Sequence, residues 1–359
     1  MDNICIPPEW KQAAEKIKYN TKICIVLGRT DSGKSTLCKF LVHHWTSSGI
    51  RVGYVDSDLG QSTIGQPATV AVKIFSNPPK PDEYLHFTSF HFVGNTSPEG
   101  FLLQTLHAIK LTVEKSHQYG AEITLVDTTG FVDGPVARIL KLYKIEMLKP
   151  QWIIALQKKE EIEHLLKGYE KMGREVIRLA CSKMVVTRSQ VERLDYRNQK
   201  YKDYFKEAKP VVCSIHKVAF PFCILGTGQR VFPHELPEKI QGKIAINYPY
   251  LEKCGSELLI IADRPDEELP FCELKKIFGV TSVVFIDKSE IKNLLVGLND
   301  DNNNTLGLGV IVDLNPQSNK LTLFTPVLNT DGIGEVHLGA IKIVEGKREG
   351  GRLRVLQYL

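Results

Sequence analysis

The sequence lacks both the long apolar runs of a membrane protein and the leader of a secreted one. No uninterrupted apolar stretch approaches the about 18 residues that a transmembrane helix needs. Met1–Trp10 has no basic segment followed by an apolar core, so no secretory signal is visible. We therefore expect a soluble, intracellular protein without a membrane partner, cytoplasmic or, if the source is eukaryotic, nuclear.

The sequence also lacks the cysteine spacing of a metal site or a disulfide framework. Its 8 cysteines are scattered, without a Cys-x-x-Cys pair or a Cys/His cluster, which favours free thiols in a reducing compartment. The net charge of +5 permits an anionic partner without demanding one, since a well-solvated surface gives the same value. With 359 residues, the chain is predicted to form two domains at about 150 residues per domain.

A phosphate-binding loop is the clearest motif that the chain contains. An apolar run at Ile23–Leu27 precedes a Gly-x-x-x-x-Gly-Lys-Ser pattern, and an amphipathic run at Leu37–Trp45 follows it. This strand–loop–helix context is the one in which the spacing predicts a nucleoside triphosphate site. The glycines let backbone N–H groups approach phosphate oxygens, and the helix start adds its positive dipole end. The predicted nucleotide-binding residues are Gly28, Arg29, Thr30, Asp31, Ser32, Gly33, Lys34, Ser35 and Thr36.

Two further features indicate a cation beside the triphosphate. Lys34 is expected to reach the β- and γ-phosphates, while Ser35 places a hydroxyl on Mg²⁺. An apolar strand that ends in Asp127 is the Walker-B arrangement, whose carboxylate holds Mg²⁺ directly or through water. The turn that follows resembles the Asp-x-x-Gly turn of GTPases. However, the chain has no Asn-Lys-x-Asp base-reading motif downstream, which weakens a GTPase assignment.

Two carboxylates follow the next predicted strand, Gly49–Val55. Acidic and amide groups at the C-terminal end of a parallel strand are where active sites form in open α/β sheets. Asp56 and Asp58 are expected to point to opposite sides at the end of this strand. One would face the phosphates while the other caps or pairs locally; the alternative, that both only cap the following loop, stays open.

A basic segment that contains several tyrosines extends from Val185 to Phe205 and is predicted to be helical. Arg193 and Arg197 are four residues apart on one face, with Arg188 upstream. Composition alone favours a solvated amphipathic helix, because acidic residues are interspersed. Beside a phosphate-binding loop, the same arginines fit a lid that closes over a triphosphate.

The order of elements predicts a two-domain protein that begins with an α/β domain. Strands and helices alternate up to about Leu166, which indicates a parallel sheet with helices on both faces, whereas Pro67–Leu85 is interpreted as an irregular surface excursion. From Pro210 onward the pattern is that of short strands separated by turn residues. We predict a P-loop NTPase domain with its lid at residues 1–209 and a smaller β-rich C-terminal domain at 210–359.

Five motifs, in this order, resemble those of the polynucleotide 5′-hydroxyl kinase family. They are Gly28–Ser35, Asp56–Gln61, Gly94–Pro98, Thr128–Phe131 and Arg188–Arg197. The family includes the kinase subunit of eukaryotic pre-mRNA cleavage factor, ribosomal-RNA-processing kinases and shorter archaeal versions. The chain is most similar to the shorter versions, since the separate N-terminal domain of eukaryotic members has no counterpart here.

The resemblance implies metal-dependent transfer of the γ-phosphate of ATP to the 5′-hydroxyl of RNA, with DNA left open as a second acceptor, in RNA processing or repair. The implied catalytic residues are Lys34, Asp58, Arg188 and Arg193, of which Asp58 activates the hydroxyl. The implied acceptor-binding residues are Gln61, Thr96, Thr129, Phe131 and Arg197. The predicted metal ligands are Ser35, Asp58 and Asp127. Phe131 stands where the family commonly has tryptophan, so a stacking face is kept without the indole N–H.

Two other functions remain open on the sequence. A small-molecule kinase or NTPase of the same fold would not need the polymer contacts at Thr96, at Phe131 or on the lid. A non-catalytic, ATP-binding scaffold of an RNA-processing complex would not need to keep Lys34 and Asp58. The C-terminal domain is interpreted as structural or as a surface for protein partners.

Overall fold

The computed structural model describes residues 6–182, 184–238, 240–241, 249–264, 269–315 and 318–349. They fall into two compact units, 1–200 and 201–359. The domain boundary predicted between residues 209 and 210 stays a prediction. Within the described ranges, no helix is long and apolar enough to cross a membrane.

The first unit is built on a seven-stranded sheet. Its strands are β1 (Ile23–Leu27), β2 (Val52–Ser57), β3 (Thr69–Phe75), β4 (Ser89–Phe92), β5 (Ile123–Thr128), β6 (Trp152–Gln157) and β7 (Glu175–Ala180). They lie in the order β4-β3-β2-β5-β1-β6-β7. The five neighbouring strands β2, β5, β1, β6 and β7 run parallel. β3 and β4 form an antiparallel extension beyond β2. The predicted parallel α/β sheet is therefore confirmed, with this antiparallel edge added.

The prediction of an irregular segment at Pro67–Leu85 was wrong over β3. Thr69–Phe75 is a mostly buried strand that pairs with β2 on one side and β4 on the other. Its prolines lie before and after the strand, while the strand itself is rich in β-branched residues such as Val70 and Val72. After β3 the chain is irregular up to a short 3-10 helix at Pro81–Leu85, so the prediction is correct for that part of the segment.

Six helices accompany this sheet along the described chain. They are α1 (Pro8–Ile17), α2 (Lys34–Ser47), α3 (Leu102–Gln118), α4 (Gly134–Leu148), α5 (Glu163–Lys171) and α6 (Gln190–Tyr204). α2 buries Leu37, Leu41 and Trp45, which recur every four residues on one face. α1 and α2 are joined by the indole N–H of Trp45, which donates to the Ala14 carbonyl at 3.0 Å. This contact packs the C-terminal end of α2 against α1.

The second unit is β-rich, as predicted. Its strands are β8 (Lys209–Ser214), β9 (Gln229–Val231), β10 (Tyr250–Cys254), β11 (Glu257–Ala262), β12 (Ser282–Asp287), β13 (Leu294–Asn299), β14 (Thr305–Asn315), β15 (Lys320–Thr325), β16 (Glu335–Val344) and β17 (Lys347–Glu349). They form a six-stranded sheet, β17-β16-β13-β14-β15-β8, and a four-stranded sheet, β12-β11-β10-β9. Two short helices, α7 (Phe271–Phe278) and α8 (Lys288–Ile291), complete the described part of this unit.

We expect Gly53→Ala to lower the free energy of unfolding by about 1–3 kcal/mol. Gly53 lies in β2, where an added methyl group would overlap Ser116 Oγ of α3. Gly168→Ala is the matched control, because within α5 the added methyl group meets no described atom within 4 Å. This change should raise the free energy of unfolding by about 0.5–1 kcal/mol, since alanine favours a helix more than glycine does. Urea unfolding of both variants tests this; equal shifts would contradict the packing argument.

Candidate active site

The phosphate-binding loop lies between β1 and α2 and depends on two glycines. Gly33 has a φ of 92°, in the left-handed region that favours glycine. A Cβ on Gly28 would stand 2.5 Å from the Leu156 carbonyl oxygen of β6. The loop therefore packs closely against the sheet. The first N–H groups of α2, which have no acceptor within the helix, can bind an anion.

Lys34 and Ser35 are the first two residues of α2, and both line the site. Lys34 is only 7% exposed, and its Nζ donates to the Arg29 carbonyl at 2.7 Å. Ser35 Oγ donates to Asp127 Oδ2 at 2.7 Å, which ties the loop to the end of β5. The Tyr54 hydroxyl of β2 donates to the same carboxylate oxygen at 3.1 Å.

The second oxygen of Asp127 is one of the buried polar atoms of the site for which the described residues supply no hydrogen-bond partner, together with Ser32 Oγ and Gln61 Oε1. Oδ1 is buried and has no hydrogen-bond partner among the described residues. Burial raises the pKa of this carboxyl, while Lys34 and the Ser35 hydrogen bond oppose the rise. A buried carboxylate oxygen beside a serine hydroxyl is a donor set that suits a hard divalent cation. Ser35 and Asp127 therefore fit the predicted metal ligands.

The two carboxylates at the end of β2 have different surroundings, since Asp56 is part of the strand and Asp58 follows it directly. Asp56 is 1% exposed and caps the following loop: its Oδ1 accepts from the Asp58 N–H at 3.0 Å, and its Oδ2 accepts from Ser62 Oγ at 3.2 Å. Burial, with the nearby charges of Asp127 and Asp58, raises the pKa of Asp56. Asp58 is partly exposed, and its Oδ1 accepts from the N–H groups of Gly60 and Gln61, both at 3.1 Å. Among the described residues no hydrogen bond is found to its Oδ2, and Asp58 lines the cavity described next.

A cavity of about 600 Å³ opens over the loop. Its phosphate-facing wall includes Gly33, Lys34, Ser35, Thr36, Asp58 and Gln61. Beyond Thr36 the wall continues with Lys39, Tyr84, Leu85, Met184, Val186 and Arg188. This size is typical of sites for nucleotide-sized ligands. Six of the nine predicted loop residues, Thr30, Asp31 and Gly33 to Thr36, therefore face the same space as Asp58, with room for a nucleotide.

The first part of α6 is packed against the loops of the site. The Arg193 guanidinium forms an ion pair with Asp31 of the phosphate-binding loop at 2.5 Å. Gln61 Nε2 donates to the Arg193 carbonyl at 3.1 Å, and the Tyr196 hydroxyl donates to the Ser62 carbonyl at 2.8 Å. The helix begins at Gln190, five residues after the predicted start at Val185. The face of α6 that carries Arg193 is therefore not simply solvated.

The predicted acceptor contacts form two groups beside the cavity. Gln61 belongs to the cavity wall, and at the neighbouring Gly60 the Thr96 carbonyl oxygen and Arg197 Nη1 would stand 3.1 and 3.9 Å from an added Cβ. Thr129 is 8% exposed and Phe131 is partly buried, on the turn that follows β5. That turn contacts the phosphate-binding loop, because a Cβ on its Gly130 would overlap Thr30.

Some residues of the predicted set point elsewhere, and others were missed. The Arg29 guanidinium pairs with Asp133 at 2.7 Å, so only the backbone of Arg29 belongs to the loop. Two fully buried lysines of α4, Lys141 and Lys144, lie under the ends of β5 and β2 and were not predicted. The available signal was their spacing, since both fall on the apolar face of α4 with Leu140.

Comparison with known proteins places this arrangement in a family. The model of the mRNA cleavage and polyadenylation factor CLP1 P-loop family matches residues 28–207. The chain belongs to the CLP1 P-loop family. The sequence resemblance to the polynucleotide kinases is thereby confirmed.

Two of the similar curated proteins match nearly the whole chain, and a third matches about half of it. A polyribonucleotide 5′-hydroxyl-kinase of Thermococcus kodakarensis is 32% identical over 97% of this chain and 96% of its own length. One of Methanocaldococcus jannaschii is 32% identical over 97% and 95%. The CLP1 homolog of Drosophila melanogaster is 30% identical over 54% of this chain and 47% of its own.

Solved structures of Clp1p with Pcf11p share the fold. One aligns with a TM-score of 0.57 over 93% of this chain and 79% of its own, at 13% identity. A second aligns with a TM-score of 0.60 over 95% and 82%, at 12% identity. At these identities the likeness concerns the fold alone, and the predicted P-loop NTPase fold with a β-rich C-terminal part is confirmed.

We expect Lys34→Met to weaken ATP binding at least about tenfold, because a hydrogen bond to a charged group contributes about 1.5–3 kcal/mol. Arg29→Met is the matched control, since its guanidinium faces Asp133, and should change the Kd by less than about threefold. Isothermal titration with ATP measures both. A larger loss from Arg29→Met than from Lys34→Met would contradict this assignment.

Proposed function

We propose that the protein is an ATP-dependent polynucleotide 5′-hydroxyl kinase that transfers the γ-phosphate of ATP to the 5′-hydroxyl end of RNA. The proposal rests on one observation: residues of the phosphate-binding loop, Asp58 and Arg188 line the same cavity. Family membership and the archaeal relatives named as polyribonucleotide 5′-hydroxyl-kinases support it. Phosphoryl transfer needs positioning and charge neutralisation more than covalent help, and this cavity supplies both.

Positive charge and N–H donors surround the place of the triphosphate. The backbone of the loop and the start of α2 bind phosphate oxygens, and Lys34 swings from the Arg29 carbonyl to the β- and γ-phosphates. Arg188 adds a guanidinium from the lid side of the cavity. These groups act on charge that spreads over the γ-phosphate oxygens during transfer, where fixed cations contribute most.

Ser35 and Asp127 are the residues that would hold Mg²⁺. The buried Asp127 Oδ1 without a described partner supports this role. Mg²⁺ is usually bound through one or two carboxylates together with waters and substrate phosphates. This agrees with the finding that the described residues include no cluster of three acidic, histidine or cysteine ligands. The chemistry that Mg²⁺ supplies is neutralisation of phosphate charge.

Asp58 would accept the proton of the attacking hydroxyl. Two backbone N–H groups, of Gly60 and Gln61, hold its Oδ1 and so orient the carboxylate. The other oxygen is left toward the cavity that Asp58 lines. A fixed carboxylate of this kind typically contributes 10²–10⁴-fold to a rate. The predicted contribution of Asp58 to the metal site stays a prediction.

The acceptor end would lie beside the cavity, on the two groups described above. Gln61, Thr96 and Arg197 surround Gly60, which gives polar contacts for a ribose–phosphate backbone. Thr129 and Phe131 follow β5, and an aromatic ring offers a stacking face that tolerates any base. We infer low sequence specificity and acceptance of RNA, with DNA as a further acceptor.

Location and partners follow from the same proposal. The cysteines of the described chain are free, which supports a reducing, intracellular location, nuclear if the source is eukaryotic. We also propose that the β-rich unit serves as a surface for protein partners of an RNA-processing assembly. Purification of the tagged chain under native conditions, followed by identification of bound proteins before and after deletion of that unit, tests this point.

The decisive experiment uses Asp58→Asn, which keeps the shape of the side chain and removes the base. With γ-labelled ATP, Mg²⁺ and 5′-hydroxyl RNA or DNA oligonucleotides, we expect label on the oligonucleotide with wild type. Asp58→Asn should transfer at least about a hundredfold more slowly and bind ATP as before. Asp133→Asn, whose carboxylate pairs with Arg29, is the matched control and should behave as wild type.

The remaining outcomes separate the kinase from its rivals. A wild type that binds ATP and transfers no label to any acceptor would be a scaffold. Label on nucleosides or sugars with none on oligonucleotides would identify a small-molecule kinase. Transfer by Asp58→Asn at the wild-type rate would move the base to another carboxylate.

We expect Asp127→Asn to raise the Mg²⁺ concentration needed for half-maximal transfer at least about tenfold, because one anionic ligand is lost. Ser35→Ala should act in the same direction. The double variant should raise the required Mg²⁺ concentration by no more than the two single effects combined, because both residues bind one ion. Titration of transfer against Mg²⁺ at saturating ATP is the measurement. An unchanged Mg²⁺ requirement in Asp127→Asn would contradict the metal site.

A further inference from the structure

Helix α4 carries two fully buried lysines that phosphate binding leaves unexplained. Lys141 and Lys144 are both 0% exposed and lie three residues apart on the buried face, with Leu140 and Ile145. Burial of an ammonium group is costly unless it is hydrogen-bonded, and an apolar side chain would fill the same space. The groups that accept hydrogen bonds from these two lysines therefore indicate what the lysines do.

Lys141 holds the turn that follows β5. Its Nζ donates to Thr128 Oγ1 at 3.0 Å and to the Thr129 carbonyl at 2.7 Å. Thr128 Oγ1 in turn donates to the Val26 carbonyl of β1 at 2.8 Å. The acceptors of Lys141 are a hydroxyl and a carbonyl rather than carboxylates. Its ammonium group therefore fixes backbone position instead of forming an ion pair.

The aromatic ring of Phe131 extends from this fixed turn. The Phe131 N–H donates to Thr129 Oγ1 at 3.2 Å, and Gly130 is pressed against Thr30. Thr129 is 8% exposed, so water has little access to its carbonyl if Lys141 is lost. An unpaired buried carbonyl would drive the turn to rearrange. The direction of the Phe131 ring therefore depends on Lys141.

Lys144 holds the neighbouring strand end. Its Nζ donates to Ser57 Oγ at 3.2 Å, and Ser57 Oγ donates to the Asp127 carbonyl at 2.7 Å. Ser57 immediately precedes Asp58 and is paired in register with Thr128. One turn of α4 thus donates hydrogen bonds to two adjacent strand ends. One of these strand ends precedes Phe131, and the other precedes Asp58.

We propose that Lys141 is a positioning residue for the acceptor, which sets the affinity for the oligonucleotide through the Thr129–Phe131 turn, whereas Lys144 positions Asp58 for the transfer step. This rests on the proposed function, in which Phe131 stacks on the terminal base. The two lysines are matched in burial and in helix face, and they differ in the strand end that they hold. Their substitutions should therefore separate KM from kcat.

The experiment compares Lys141→Met with Lys144→Met in the oligonucleotide transfer assay. Lys141→Met should raise the oligonucleotide KM about tenfold, within the range of a lost base–aromatic stack, and leave kcat and the ATP KM near wild type. Lys144→Met should lower kcat and leave the oligonucleotide KM near wild type. Wild type is assayed first, because absence of transfer there would refute the proposed function and not this inference.

A double-mutant cycle with Phe131→Ala distinguishes positioning from a general loss of stability. If Lys141 acts through the ring, Lys141→Met should add little to the oligonucleotide KM of Phe131→Ala. Additive increases in KM, or a Lys141→Met that lowers kcat alone, would overturn the inference.

Lys141→Gln provides a second variant, since its amide can still donate to the Thr129 carbonyl and should restore part of the affinity. If both Lys141 variants fail to fold, as judged by thermal unfolding, Lys141 is a core residue and the positioning role is refuted.

Discussion

The parallel pairing of β1 with β5 is the constraint on which the site depends. Its register sets Val26 opposite Asp127, so the phosphate-binding loop and the β5 carboxylate leave the sheet at the same edge. β2 lies on the other side of β5 and brings Asp56 opposite Asp127. Strand ends that lie side by side therefore bring the phosphate-binding loop, Asp127 and the Asp56–Asp58 segment together from three distant parts of the chain. The hydrogen bond from Ser35 to Asp127 closes this arrangement at 2.7 Å.

The same edge concentrates buried charge of both signs. Asp56 and Asp127 are each 1% exposed, and Lys141 and Lys144 are 0% exposed. Burial raises the pKa of the two carboxyl groups and lowers the pKa of both lysines, to about 8 for Lys144, while Asp58 and Asp127 act against the lowering. Like-charged neighbours add to these shifts, since Lys144 and Lys34 lower the pKa of Lys141 further and Asp127 raises that of Asp56, so the four groups are coupled and removal of one changes the balance at the others. Substitutions at this edge are informative only when they preserve side-chain volume.

The sequence was a good guide wherever the pattern was local. The phosphate-binding loop, the strand that ends in Asp127 and the strands of the second unit could be predicted from short-range spacing and turn residues. β3 was missed because the prolines around it outweighed its own β-branched residues in the interpretation. The spacing of the α4 lysines could have placed them on the apolar face of the helix, but it could not identify their acceptors. Ser57 is far from Lys144 along the chain, and only the fold shows that α4 lies beneath the ends of both β2 and β5.

Two of the three arginines that the sequence grouped as a lid have different surroundings. Arg193 is paired with Asp31, and its backbone carbonyl accepts from Gln61, so it ties α6 to the phosphate-binding loop. A guanidinium that already has an anionic partner contributes less to neutralising the charge of a phosphate. Arg188 instead lines the cavity, and its guanidinium lies 5.6 Å from the centroid of the Tyr196 ring. The catalytic role predicted for both arginines stays a prediction, and the pairing of Arg193 with Asp31 favours Arg188 over Arg193 for contact with a phosphate.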